Sequence, residues 1–197
     1  VDIEDYEVLL EEERSSIAEK RKTHQGFDGR FGNFSLYWTN DEIEAWCTNL
    51  ANLYPQFVQM ETLIFSPGGR RIYAMKVSTG VFGQKPIYAV EGGMHAREWV
   101  GPPTALYLLH KIVEDPVTRA ELLTDVDWLI IPMQNPDGYV WSWTNDRMWR
   151  QNRRQITPTC IGADLNRNFA QTWRAATITQ PCGSLTFRKS NLIEILQ

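Results

Sequence analysis

Two short apolar runs, Ile87-Tyr88-Ala89-Val90 and Trp128-Leu129-Ile130-Ile131, constrain this chain more than any other feature. Each has the length of a buried strand, and each is cut off by breakers: Gly92-Gly93 follows the first and Pro132 the second. Between them, Pro102-Pro103-Thr104 opens a segment that carries Leu106, Leu109, Ile112 and Val113 at helical spacing. Strand, helix, strand in that order is the unit of an α/β sheet. Chemistry in such sheets gathers at the carboxyl ends of the strands, so the residues after Val90 and Ile131 come first in a search for a site.

The flanking sequence extends the pattern. Residues 58–65 and 71–77 read as strands joined by Ser66-Pro67-Gly68-Gly69, a hairpin signal. Thr39-Asn40-Asp41-Glu42 has the form of a capping box. Ile43, Trp46, Cys47, Leu50 and Leu53 follow it at helical spacing, and Pro55 ends that helix. Residues 3–22 read as one charged helix, acidic early (Glu7, Glu11, Glu12, Glu13) and basic late (Lys20, Arg21, Lys22), an order that suits the helix dipole. Its apolar content is thin, so a solvated helix or linker is expected. Gly26, Gly29 and Gly32 then mark a joint, and a domain boundary is expected near Gly32-Asn33.

Composition excludes some classes of function. At 197 residues the chain can bury one ordinary core. A net charge of -4 argues against a nucleic-acid footprint, and no apolar run is long enough to cross a bilayer. The acidic start Val1-Asp2-Ile3-Glu4-Asp5 shows no secretory leader. Three cysteines allow at most one internal pair, and Cys47, within a helical pattern, reads as a small buried thiol.

Four blocks, beginning at the strand ends, carry chemistry. His95-Ala96-Arg97-Glu98 offers an imidazole and a carboxylate three residues apart, which together can ligate one Zn²⁺; alone, the pair is a weak pattern that reads more readily as a surface ion pair or a satisfied histidine. Asn135-Pro136-Asp137-Gly138-Tyr139 reads as a tight turn closing the second strand. Asp146-Arg147-Met148-Trp149-Arg150, with Arg153 and Arg154 beyond it, reads as a basic segment whose plain interpretation is a solvated face. Asp164-Leu165-Asn166-Arg167-Asn168-Phe169 sets an arginine between two amides, a pairing suited to gripping a carboxylate. Arginines can also hold the oxyanion that forms during acyl transfer.

Together with Gly93-Met94 and Trp99 around the first block, these segments resemble, in order and spacing, the signature of the carboxypeptidase A/B zinc metallocarboxypeptidases. The resemblance runs from about Phe34 to Phe187, roughly the first half of that family's catalytic domain. It implies an α/β fold, a mixed twisted sheet flanked by helices, apparently truncated. It implies one zinc ion with His95 and Glu98 as two of its three protein ligands. By the same resemblance Arg150 is the catalytic arginine that polarises the scissile carbonyl. Asn166 and Arg167 bind the substrate's terminal carboxylate, and Arg97 and Arg147 are accessory substrate-binding arginines. Cys160 and Cys182 match a family disulfide, which implies secretion, extracellular or into a digestive lumen. Residues 1–33 match the end of a propeptide and its connecting helix, with Lys20-Arg21-Lys22 and Arg30 as activation sites. Residues 34–188 match the catalytic domain, and 189–197 form a divergent tail.

The expected activity is zinc-dependent hydrolysis of the C-terminal peptide bond of peptides and proteins, with the chain's own propeptide as a further partner and neither nucleic acid nor membrane. No residue matches the third zinc ligand, the catalytic glutamate or the substrate-capping tyrosine; of the other histidines, His24 lies in the linker and His110 on the following helix. A partial, inactive form is therefore expected, with a non-catalytic module that binds peptide C-termini or an inhibitor as the alternative. Without the strand that carries the third ligand in the family, the strand before His95 is expected to be an open edge.

Overall fold

The computed structural model of the chain describes residues 6–23, 34 and 36–169. The helices are α1 (Tyr6–Thr23), α2 (Asn40–Leu53), α3 (Gly101–Glu114), α4 (Pro116–Leu123) and α5 (Pro136–Thr144). The strands are β1 (Val58–Phe65), β2 (Arg71–Val77), β3 (Ile87–Glu91), β4 (Asp127–Ile131), β5 (Gln155–Thr157) and β6 (Cys160–Ile161). The first four strands form a mixed sheet in the order β1-β2-β4-β3. β1 and β2 are antiparallel, as are β2 and β4, whereas β3 runs parallel to β4 with Ile87 opposite Asp127 and Glu91 opposite Ile131. That register makes β3 and β4 end side by side, so the loops leaving Glu91 and Ile131 start as neighbours.

The core forms where α2 and α3 cover the sheet. Ile43, Trp46, Cys47 and Leu50 of α2 meet Met75 and Val77 of β2, Leu106, Leu109 and Ile112 of α3, and Ile130 of β4, all buried. These are the periodic positions visible in the sequence, and their burial is the main driving force for the fold. Burial also pushes the Cys47 thiol up to about 12, so it stays protonated and inert at neutral pH. The capping box at Thr39 is present: its hydroxyl accepts from the Glu42 amide at 3.3 Å, and the Glu42 carboxylate accepts from the Thr39 amide at 2.7 Å.

Two expectations are corrected. Asn135 to Tyr139 is the start of α5, not an isolated tight turn. Pro136 sits at a first helical position where no N–H is needed, and the Asn135 side chain caps the helix by accepting from the Gly138 amide at 3.0 Å. Cap and turn use the same residue types, so the sequence alone reads either way. Nor is α1 a free solvated helix: Ile17 packs against the core, and Arg21 grips Glu42 through both carboxylate oxygens at 2.8 and 2.6 Å while its guanidinium lies 5.6 Å from the Trp143 ring centroid. The joint at Gly26, Gly29 and Gly32 lies outside the described residues. The open edge is borne out among them: β3 pairs with β4 alone and leaves Ile87 48% and Tyr88 58% exposed.

Asp127 anchors the start of β4. It is fully buried, its Oδ2 accepts from the Gly83 amide at 2.7 Å, and the Lys85 amine stands 3.4 Å from Oδ1. Burial alone would raise its pKa, but the Ser78 hydroxyl, the Gly83 amide and Lys85 outweigh burial and hold it below the ordinary value. A carboxylate with a depressed folded-state pKa stabilises the fold above its unfolded value, about 3.9, and loses that contribution as pH falls through the folded value. Asp127→Asn is expected to cost about 2 kcal/mol at pH 7, and the gap from wild type should narrow below about pH 4. Urea unfolding at both pH values measures this; a gap that widens in acid contradicts it.

Candidate metal and carboxylate site

The loops that leave β3 and β4 continue to bond beyond the strands. The Gly92 amide donates to the Ile131 carbonyl at 2.8 Å, Gln134 to Gly92 at 3.0 Å and Asn135 to Gly93 at 3.1 Å. Gly93 has φ +65°, a backbone conformation that favours glycine, and a Cβ there would also displace the Met133 thioether, 2.7 Å away. The buried Asn135 amide then donates to the Met94 carbonyl at 3.1 Å and to the Gln151 carbonyl at 3.0 Å. One side chain thereby ties the loop holding His95 to the segment following Arg150. The Ala96 amide adds a direct bond to the Arg150 carbonyl at 3.1 Å, and the Trp99 indole donates to the buried Ser142 hydroxyl of α5 at 2.8 Å.

On this frame the side chains converge. His95 is 7% exposed, and its Nδ1 lies 2.8 Å from Glu98 Oε1. Its Nε2 stands 3.3 Å from Asp164 Oδ1, an ion-pair distance without the alignment of a hydrogen bond. Arg150 donates from Nε to Asp164 Oδ2 at 3.1 Å, and its terminal nitrogen is 3.5 Å from Glu98 Oε1. Asp164 Oδ1 also accepts from the Asn166 amide at 2.9 Å and so caps the 3-10 turn Leu165–Arg167. The fully buried Asp164 carboxylate is therefore the common partner of His95, Arg150 and the Asn166 block.

The remaining arginines lie further out. Arg167 is exposed, with a terminal nitrogen 2.9 Å from the Asn166 carbonyl. Arg147 binds Glu13 of α1 through two nitrogens at 2.6 and 3.0 Å, donates to the Arg97 carbonyl at 2.8 Å, and lies 3.8 Å from the Trp99 ring centroid. Arg97 is half-buried beside it. Cys160 is buried, and Cys182 lies outside the described residues.

The donors suit zinc in kind: a buried imidazole and a half-exposed carboxylate meet nitrogen to oxygen, and the far imidazole nitrogen faces a carboxylate, the arrangement typical of metal-ligating histidines. Among the described residues no group of three or more histidine, cysteine, aspartate or glutamate side chains is placed to hold an ion, so the chain offers a partial ligand set there. Sequence reasoning gave no role to Asp164 or Asn135. An acid opening the Asp-Leu-Asn-Arg block was visible, but its side-chain partners His95 and Arg150 lie in separate segments.

A mixed α/β sheet thus carries a histidine–glutamate pair just beyond its strand β3, with Arg150 and the buried Asp164 behind it. A profile of zinc carboxypeptidases matches residues 43–191, and the chain belongs to that family. It is 36% identical over 174 residues to the carboxypeptidase B of Helicoverpa zea, covering 85% of this chain and 40% of that one. It superposes on the crystal structure of the carboxypeptidase A from Helicoverpa armigera with a TM-score of 0.90 and 34% identity, covering 98% of this chain and 47% of that one. Bovine thrombin-activatable fibrinolysis inhibitor in complex with tick carboxypeptidase inhibitor matches with a TM-score of 0.64 and 34% identity, over 71% of this chain and 45% of that one. The chain thus spans about half the length of the proteins it matches. No described helix is long and apolar enough to cross a membrane.

Proposed function

We propose that this chain supplies the carboxylate-docking and oxyanion-holding half of a zinc metallocarboxypeptidase site, for hydrolysis of the C-terminal peptide bond of peptides and proteins. The observation that carries the reading is the Asp164 carboxylate, which joins His95, Arg150 and the Asn166 amide in one buried cluster. His95 and Glu98 would hold the ion. When bound, zinc supplies Lewis acidity toward a carbonyl and acidifies a water. Arg150, fixed in direction by Asp164 and close to Glu98, offers its remaining N–H groups to the oxygen on which negative charge develops. Asn166 and Arg167 would pair with the terminal carboxylate of the substrate, Arg167 through its exposed fork.

The N-terminal helix fits the role of a pro-segment. Glu13 occupies Arg147 and Arg21 occupies Glu42, so α1 covers one of the arginines assigned to substrate. A bond between Cys160, which is disulfide-bonded, and Cys182 would agree with a secreted protein.

The second reading is a non-catalytic module that binds peptide C-termini or an inhibitor, favoured by the two-donor ligand set among the described residues. Zinc stoichiometry by equilibrium dialysis, with hydrolysis of a blocked dipeptide, separates the two. One tightly held zinc with turnover, raised in Glu13→Ala, supports the peptidase. Carboxylate binding that vanishes in Arg167→Ala, without turnover, supports the module. Zinc binding that is unchanged in a His95→Ala, Glu98→Ala double variant rejects the assigned ligands.

A further inference from the structure

A cavity of about 460 Å³ lies between the β1–β2 turn and α5, and Arg70, Asp137, Trp141, Thr144, Arg153 and Gln155 line it. None of His95, Glu98, Arg150, Asn166 or Arg167 reaches it. Arg153 was expected to belong to a solvated basic face. It lies instead with its guanidinium carbon 3.6 Å from the Trp141 ring centroid and 4.5 Å from that of Trp149. Two indoles fix the plane of the guanidinium while leaving its edge, where the N–H groups point, free to bond. Among the described residues no carboxylate stands within ion-pair distance of Arg153. Partial burial lowers its pKa, and the Asp137 carboxylate, itself bonded to Arg70, offsets only part of that.

The other polar groups of the cavity are engaged. Asp137 accepts from Arg70 at 2.8 Å through one oxygen and from the Gly68 amide at 2.8 Å through the other. Thr144 donates to the Val140 carbonyl at 3.0 Å, and the Gln155 amide donates to the Thr157 carbonyl at 2.6 Å. What is left over is one planar fork of donors and one net positive charge, since Arg70 and Asp137 cancel. A planar monoanion matches both the charge and the two-pronged geometry. A phosphate dianion would exceed that charge and face Asp137. The walls formed by Pro67, Val140 and Trp141 suit the apolar stem of a side chain.

We propose that this cavity is a binding site, separate from the metal site, for the side-chain carboxylate of an acidic residue in a peptide or protein partner. The probe is N-acetyl-glutamate N-methylamide, whose only charge is its side-chain carboxylate, added to the full chain while tryptophan indole N–H resonances are followed by NMR. Trp141→Phe identifies the Trp141 signal. The expected result is saturable shifting of the Trp141 and Trp149 signals, weakened about 10- to 100-fold in Arg153→Gln and about 10-fold in Arg153→Lys, which keeps the charge but loses the fork. Arg167→Ala should bind as wild type. Acetate that binds as tightly as the probe would mean an adventitious ion only, and would overturn the proposal. So would tighter binding of inorganic phosphate, equal binding by Arg153→Gln, loss of binding in Arg167→Ala, or no shift at all.

Discussion

Asp164→Ala is expected to unfold roughly 3–5 kcal/mol more easily than wild type, the largest effect of any single substitution at the site. Its carboxylate is fully buried and faces Arg150, whose side chain is 13% exposed, so removal strands a guanidinium away from water. The same change uncaps the Leu165–Arg167 turn and frees the far nitrogen of His95. Zinc affinity should fall about 10- to 100-fold, the usual result when the outer partner of a ligating histidine is lost. Asp164→Asn keeps an acceptor for the Asn166 amide but not the charge, so its stability should lie between the two. Chemical denaturation with zinc titration measures both effects. A stable Asp164→Ala protein, within about 1 kcal/mol of wild type, would show that Arg150 and His95 do not depend on this carboxylate.

Asn135→Ala is expected to cost about 3 kcal/mol and to loosen the loop that carries His95. Asn135 is 2% exposed, and truncation removes three bonds, to the Gly138 amide and to the Met94 and Gln151 carbonyls. Each buried bond contributes about 1 kcal/mol net, and carbonyls left unpaired add to the loss. Asn135→Asp is the sharper probe: it keeps the cap on Gly138 but turns a donor to two carbonyls into an acceptor, so it should be no more stable than the alanine variant. Hydrogen exchange at the Ala96 amide reports the loop directly, since that amide bonds to Arg150 across the joint. Unchanged protection there would mean that other contacts hold the loop.

The frame of the fold was legible because its signals are local. Apolar residues recur at helical spacing in α2 and α3, the Thr39 box caps α2, and Gly or Pro closes each strand. Where two local meanings coincide, sequence reading failed: Asn135-Pro136-Asp137-Gly138 serves a turn or a helix start equally well, and only the continuing i to i+4 bonds from Tyr139 onward choose the helix. The short helix α4 and the β5–β6 hairpin lack a strong period and were not anticipated. The charged surface of α1 concealed two anchor residues, Glu13 and Arg21, because ion-pair partners 134 and 21 residues away leave no trace in local composition.

By itself the sequence determined which chemical groups this protein possesses and in what order they follow the strands: the imidazole and acid after β3, then the Asn135 block after β4, with the arginines and the amide–arginine pair beyond it. Only the tertiary structure decided which group binds which. It made Asp164 the hub, gave Arg147 to Glu13, and stacked Arg153 on two indoles instead of leaving it in solvent. The reason is physical. Secondary structure follows from neighbours a few residues apart, whereas the partner of a buried charge is chosen by packing that brings distant segments together, and that choice is made by the whole core at once.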